Sequence, residues 1–402
     1  MSSAPDSPAP PVRAPILGGW LFVVLIALSA AVAQAFGRFS YGLILPAVRD
    51  DLGITNALAG GIGGANVGAY LLGTLVVAWA TGRFRLLAVL RFGIALASLG
   101  LLLASLSTSA PMLGCALFIA GLGGACVWIP SPMVAADAVS PARRALAIGL
   151  TGSGIGVGVM SASLLAASLR AEQGDAAWSS LYTLQALIGF TVFAAVVMIV
   201  RHQQAKPSGG GGFGGFDALM RMPGWRPLTL AYTVFGFMYL LVLGFLTTRL
   251  EDDSGWTSVD ASFAFTLVGT TMIFGGPFVA AVAQRIGVRL ASILFFSLWP
   301  VLVCIVLTGA PVPTLAACLG LGLLFSGLPL LMTMYVVNNT NATDYGPAFS
   351  AATLAFGLAQ MISPPIGGLI ADLTGTFTWV FAIAAASALV GAAASWRLPA
   401  DR

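Results

Sequence analysis

Charge is what this chain has least of. Of its 402 residues only 8% are charged, about a third of the roughly 25% found in a soluble domain, which excludes a globule surrounded by water. The apolar share of 58% excludes a disordered chain as well. His202 is the single histidine and lies in a polar stretch, so a His-based metal site or catalytic triad has no material. Cys115, Cys126, Cys304 and Cys318 fall inside apolar runs without CxxC spacing, which argues against a disulfide framework or a zinc site. Lys206 is the single lysine, and the arginines are scattered between apolar runs rather than gathered into a basic patch, so nucleic-acid binding has no footprint. Gly209–Gly212 are not followed by Lys-Ser/Thr. Gly152-Ser153-Gly154-Ile155-Gly156 follows no soluble strand, so neither a P-loop nor a dinucleotide fingerprint is present. The expectation is a protein without cofactor or metal and without enzymatic activity.

What fills the chain instead is long apolar runs. A spanning helix needs about 20 mainly apolar residues. Twelve runs qualify, at 17–48, 57–81, 86–107, 111–138, 144–169, 178–200, 227–248, 258–284, 290–309, 313–337, 346–371 and 376–396. The predicted fold is an all-α integral membrane protein of twelve transmembrane helices. Of the 18 basic residues, Arg49, Arg170 and Arg249 fall toward one end of the spans and Arg38 falls inside one. The remaining 14 lie toward the end that carries both termini. By the positive-inside bias the termini are cytoplasmic, in a multi-pass protein of a bacterial inner membrane.

The longest polar connection, 201–226, holds Ser208-Gly209-Gly210-Gly211-Gly212-Phe213, and Gly-rich sequence behaves as flexible coil. It divides the chain into a disordered tail at 1–16, a six-helix bundle at 17–200, a central cytoplasmic loop at 201–226, a second six-helix bundle at 227–397 and a short tail at 398–402. The halves echo each other. Tyr41 is followed by Arg49-Asp50-Asp51-Leu52-Gly53 in the first, and Tyr239 by Arg249-Leu250-Glu251-Asp252-Asp253 in the second. Paired repeats of this kind are found in secondary transporters, whose bundles rock around a site at mid-membrane.

Over essentially its whole length, in its six-plus-six layout and central loop, the chain resembles the major facilitator superfamily. Phe36-Gly37-Arg38-Phe39-Ser40-Tyr41 with Leu45-Pro46 is similar to the first helix of the bacterial YbfB/YjiJ-type transporters. Gly121-Leu122-Gly123-Gly124 through Trp128-Ile129-Pro130 to Arg143-Arg144 is similar to monocarboxylate and oxalate/formate-type members. Gly82-Arg83-Phe84-Arg85 keeps the basic part of the superfamily signature between spans two and three but lacks its acid. The resemblance implies two bundles related by a pseudo-two-fold axis, with a substrate site drawn from spans one, two, seven and eleven.

Arg38 is the internal charge of span one, 11 residues before Arg49, or about 16 Å along a helix. A charge at that depth costs about 2.5–3.5 kcal/mol on insertion scales and calls for a wet cavity or a partner. Gln34, Arg38 and Tyr41 are spaced to share an α-helical face. A guanidinium fork matches a carboxylate, so Arg38 is the candidate anion ligand, and helix cross-linking is its other reading. Asn66 and Tyr70 in span two, Tyr239 in span seven and Gln360 in span eleven complete the candidate site. Arg249, Asp137 and Arg285 at the span ends are candidate gates. No acid lies near the centre of any span, so a proton or a counter-anion, if coupled, travels with the substrate or uses an acid near a helix end. The expected function is transport of a small organic anion, first of all a monocarboxylate, by a monomer in the bilayer. The alternative, suggested by 24 Phe, is an exporter of drug-like amphipathic compounds.

Overall fold

The computed structural model describes residues 16–200, 215–341 and 343–399. The expected tail at 1–16, most of the loop at 201–226 and the last residues of the tail at 398–402 therefore lie outside the described residues. The described residues are helical, with short turns between helices and no strand.

Eleven helical stretches among them are long and apolar enough to cross a membrane. One of these, Pro141–Ile199, is two crossings, because Gly174 adopts φ +65° and turns the chain back. That conformation carries no Cβ penalty only for glycine. Twelve crossings result among the described residues, as the apolar runs predict. Helix α1 covers 16–52 and is followed by α2 (Asn56–Thr81), α3 (Leu86–Ser105), α4 (Ala110–Trp128, continued by Ser131–Asp137), α5 (Arg144–Gln173) and α6 (Ala177–Ile199). After a short helix at Phe216–Arg221 come α7 (Trp225–Thr248), α8 (Ser258–Ile286), α9 (Val288–Leu307), α10 (Pro311–Asn339), α11 (Tyr345–Thr374) and α12 (Thr378–Trp396).

The helices start and stop on local signals. Gly53 at φ +60° closes α1, its N–H returning to the carbonyls of Arg49 and Asp50, in the manner of a left-handed C-cap. Thr55 and Thr257 cap α2 and α8, each accepting a backbone N–H on its hydroxyl. Buried hydroxyls return to their own helix, as Ser29 does to Leu25 O, Ser98 to Ile94 O and Ser163 to Val159 O. Such pairing is required where no water reaches the backbone.

Helices α1 to α6 pack on one another, as do α7 to α12, and the two sets meet along α2–α11, α5–α8 and α1–α7. Glycine sets how closely they approach. Gly154 and Gly158 lie against the backbone of α1 at Ala27 and Ala31, while Gly156 lies against Ile273 and Gly269 of α8. Gly60 and Gly64 of α2 abut the carbonyls of Pro364 and Met361 in α11. Without a hydrophobic force between helices in lipid, close backbone packing of this kind supplies the association.

Candidate functional site

Two helices depart from α geometry, and both do so at charge. In α1 the segment Ala31–Phe39 is π-helical, and the end of α7 continues as a π turn at Arg249–Asp253. Inserted π turns gather at functional sites, and the first one holds Arg38. Every residue of α1 from 29 to 48 is buried except Arg38, which is half-buried. The lipid-exposed residues of the helix, Leu21, Val24 and Leu28, all precede that stretch. The space that Arg38 reaches is therefore inside the protein. On one side it is a small cavity lined by Arg38, Tyr41, Asn66, Leu240, Phe245 and Pro364, among others.

The Arg38 guanidinium crosses between the two sets of helices. Its Nη2 donates to Gln360 Oε1 of α11 at 2.7 Å and to Tyr239 Oη of α7 at 3.2 Å. Gln360 Nε2 also donates to Tyr239 Oη. The rings of Tyr70 and Phe39 lie 5.2 and 5.7 Å from the guanidinium carbon, within cation–π range. Arg38 Nε is buried without a partner, and none of the ion pairs among the described residues includes Arg38. Four of the expected site residues, Arg38, Tyr70, Tyr239 and Gln360, thus meet at one point. A phenol has one proton and two acceptor positions. Tyr239 accepts from both Arg38 and Gln360, so its own proton is left to donate elsewhere.

The other three expected site residues have their polar ends committed to backbone. Gln34 Nε2 donates to Gly124 O of α4 at 3.1 Å. Tyr41 Oη donates to Ala59 O of α2 at 2.8 Å. Asn66 Nδ2 donates to Gly37 O and Leu117 O at 2.9 and 2.7 Å, so it clasps the π segment to α4. The face that Gln34, Arg38 and Tyr41 share in an ideal α-helix is not kept. The π segment changes the rotation per residue, and their polar ends go to different helices. Tyr41 and Asn66 line the cavity beside Arg38.

Around this cluster stands a wall of aromatic rings. Phe356 of α11 stacks near-parallel on Tyr232 of α7, with centroids 4.4 Å apart, and lies 6.0 Å from Phe235 and 6.2 Å from Tyr239. Phe325 of α10 meets both Tyr239 and Phe39 edge-on, at 5.0 and 5.2 Å. Its spacing of four from Gln360, which sets both on one face of α11, is the signal that could have found Phe356.

At the end where α1 and α7 terminate, charged residues tie the two sets together. Arg49 of α1 pairs with Asp252, and Arg170 of α5 is held by both oxygens of Glu251 at 2.6 and 2.8 Å. Asp372 of α11 accepts the backbone N–H groups of Asn56 and Ala57 at 3.0 and 2.8 Å, at the positive end of the α2 dipole. The expected gate Arg249 is not part of this join. It is buried, donates to Ser254 Oγ and Leu307 O and is ion-paired with Asp253, all within the second half. Asp137 and Arg285 are exposed at the opposite end of the molecule. The residues that cross between the halves at this end, Arg49, Arg170, Glu251, Asp252 and Asp372, were not selected from the sequence. The recurrence of an Arg with acids close behind it, Arg49-Asp50-Asp51 and Arg249-Leu250-Glu251-Asp252-Asp253, is the signal that pointed there.

The family described as "Uncharacterised MFS-type transporter YbfB" matches residues 30–396. This chain belongs to that family of major facilitator superfamily (MFS) transporters. Among curated proteins, monocarboxylate transporter 13 of Bos taurus is 24% identical over 395 residues, covering 95% of this chain and 90% of that protein. Among solved structures, a bacterial homolog of the human lysosomal transporter Spinster, inward-facing and occupied, superposes with a TM-score of 0.76 at 13% identity. It covers 96% of this chain and 97% of that one. The nucleoside transporter NupG gives 0.77 at 11% identity, covering 93% and 98%. At these identities the two structures establish a shared MFS fold, and the twelve helices of this chain are that fold.

Proposed function

We propose that this MFS transporter moves a small organic anion, first of all a monocarboxylate, by alternating access, with Arg38 as the anion ligand. One observation carries the reading: Arg38 sits inside the protein on neutral partners, with Nε unpaired and no carboxylate to balance it. A guanidinium in that position gains most from a ligand that brings the missing negative charge and accepts two parallel hydrogen bonds. The resemblance to a monocarboxylate transporter favours the same class.

In this reading the halves, 17–200 and 227–397, are the two rocking bundles and Arg38 lies at their junction. The Arg-rich end that carries the termini faces the cytoplasm of a bacterial cell, and the end tied by Arg49–Asp252 and Arg170–Glu251 is the closed outer side. The protein acts as a monomer in the cell membrane, and any coupled proton or counter-anion moves with the substrate. The second reading, export of drug-like amphipathic compounds, rests on the aromatic wall and differs in requiring no negative charge on the ligand.

A thermal-shift panel of short carboxylates beside neutral and cationic amphiphiles separates the two. A ligand at a hundredfold excess over its dissociation constant stabilises the folded state by about 2.7 kcal/mol. Stabilisation by carboxylates that disappears in Arg38→Gln is the expected result. Stabilisation by amphiphiles alone, unchanged in Arg38→Gln, replaces the anion reading with the exporter.

A further inference from the structure

The charged end of the site is small, but the wall beside it is long and aromatic. Tyr345 and Phe349 stack at 5.9 Å, Tyr232 lies between Phe349 and Phe356 at 6.4 and 4.4 Å, and Tyr239 closes the series beside Arg38. The planes of Tyr232, Phe235 and Tyr239 lie within 17°, 7° and 15° of Phe356. From Tyr232 to Tyr239 the wall runs about 10 Å along α7.

The half-buried rings of this wall open inward, not to lipid. On α11 the lipid face is marked by Leu358, Ile362, Leu369 and Leu373, which are 46 to 77% exposed. Phe356 is two residues from Leu358, about 200° around the helix, and Phe349 and Gln360 share its side. The accessible surface of Phe356 therefore faces the interior, on the side of α11 that carries Gln360, the partner of Arg38. Tyr70, also half-buried, sets another ring beside the guanidinium.

A ring stacked in this way offers a flat, electron-rich face. An aliphatic chain fills such a slot by area alone, whereas an aromatic ring adds the offset-stacked and edge-to-face attraction of ring pairs. We infer that the substrate is an arylcarboxylate, its carboxylate on Arg38 and the free Tyr239 hydroxyl proton, and its ring against the half-buried Phe356, whose plane Tyr232 fixes by stacking on it. This rests on the reading of Arg38 as the anion ligand. It extends that reading by giving the anion a flat aromatic body and Tyr239 a donor role.

The test uses the full-length protein in detergent, with thermal shift and equilibrium binding of benzoate, cyclohexanecarboxylate, acetate and benzamide. Benzoate and cyclohexanecarboxylate match in charge and approximate size, and benzamide keeps the ring without the charge. The expected order is benzoate first, about 3- to 10-fold tighter than cyclohexanecarboxylate, with acetate and benzamide far weaker. Phe356→Leu should erase the preference for benzoate over cyclohexanecarboxylate, while Arg38→Gln should abolish binding of both. Tyr232→Leu gives the same readout if Phe356→Leu fails to fold, and the wild-type ratio needs neither variant. Equal binding of benzoate, cyclohexanecarboxylate and acetate, all lost in Arg38→Gln, overturns the aromatic inference and leaves the anion reading standing. Equal binding of benzoate and benzamide, unchanged in Arg38→Gln, overturns both. No binding of benzoate at millimolar concentration overturns the inference.

Discussion

Arg38 of α1 donates to Gln360 of α11 across 322 positions of sequence, at 2.7 Å, and the acceptor is an amide oxygen where a carboxylate would balance the charge. The two side chains are close in size and shape to an ion pair, but one of them is neutral. The arrangement holds the guanidinium in place without discharging it, as an anion-binding site requires.

That relationship yields a direct prediction. Gln360→Glu supplies the missing acid with almost no change in volume. The variant should be at least as thermally stable as the parent, because a charged partner strengthens the hydrogen bond. Carboxylate binding should fall by 10-fold or more, because the substrate then competes with a resident carboxylate. Melting temperature with and without benzoate checks both parts. Undiminished carboxylate binding in Gln360→Glu would remove Arg38 from the binding site.

The ion pairs at the closed end predict a conformational effect. The Arg170 side chain is 3% exposed and that of Glu251 13%, and removal of one partner of a buried pair costs about 3–5 kcal/mol. That cost falls on the conformation in which the pair is formed. Glu251→Gln, and more strongly Glu251→Gln with Asp252→Asn, should shift the population toward a state open at that end. Leu45 lines the cavity between that end and Arg38 and is buried. A cysteine placed there, with the exposed Cys115 and Cys304 changed to serine, should be labelled faster by a polar thiol reagent in the variants than in the parent. Equal labelling rates would mean that these pairs do not hold the closed state.

Much of this was legible in the sequence because it is local. Twelve apolar runs become twelve helices because each span satisfies its own backbone, and the Arg170–Asp175 stretch marks the turn between the fifth run and the sixth. Arg38, Tyr70, Tyr239 and Gln360 stand out because a polar side chain in an apolar helix is conspicuous whatever it touches. What escaped is what depends on partners far along the chain. Arg49 and Asp252 are 203 positions apart, and nothing local to either names the other. The π segment at Ala31–Phe39 also has no marker in composition. Within it Gln34 reaches Gly124 O of α4 and not the Arg38 cluster. Phe356 is harder to single out, since it is one phenylalanine among 24 and only its spacing of four from Gln360 sets it apart.

Asn66 predicts a separation of glue from site. Its amide reaches Gly37 O and Leu117 O, so Asn66→Leu removes two buried hydrogen bonds between helices. At about 0.6 kcal/mol for an average interhelical hydrogen bond in a membrane protein, the loss of the pair should cost about 1 kcal/mol of stability. Affinity for the carboxylate should change by less than 3-fold at a temperature where the variant is folded. A change as large as that of Arg38→Gln, with stability intact, would instead make Asn66 a substrate ligand.

The glycines of α5 provide a controlled pair on one helix. A Cβ at Gly156 would stand 2.7 Å from Ile273 N and 2.9 Å from Gly269 O of α8, whereas a Cβ at Gly152 meets nothing within 4 Å. Both substitutions remove the same backbone entropy and add the same side chain. Their difference therefore isolates the α5–α8 contact between the halves. Gly156→Val should cost about 1–3 kcal/mol, the usual range for overpacking, and should slow transport because the two helices must slide on each other as the halves rock. Gly152→Val should leave both stability and transport close to those of the parent. Transport assays in vesicles alongside thermal melts check the pair, and equal tolerance at both positions would show that α5 and α8 separate freely in the working cycle.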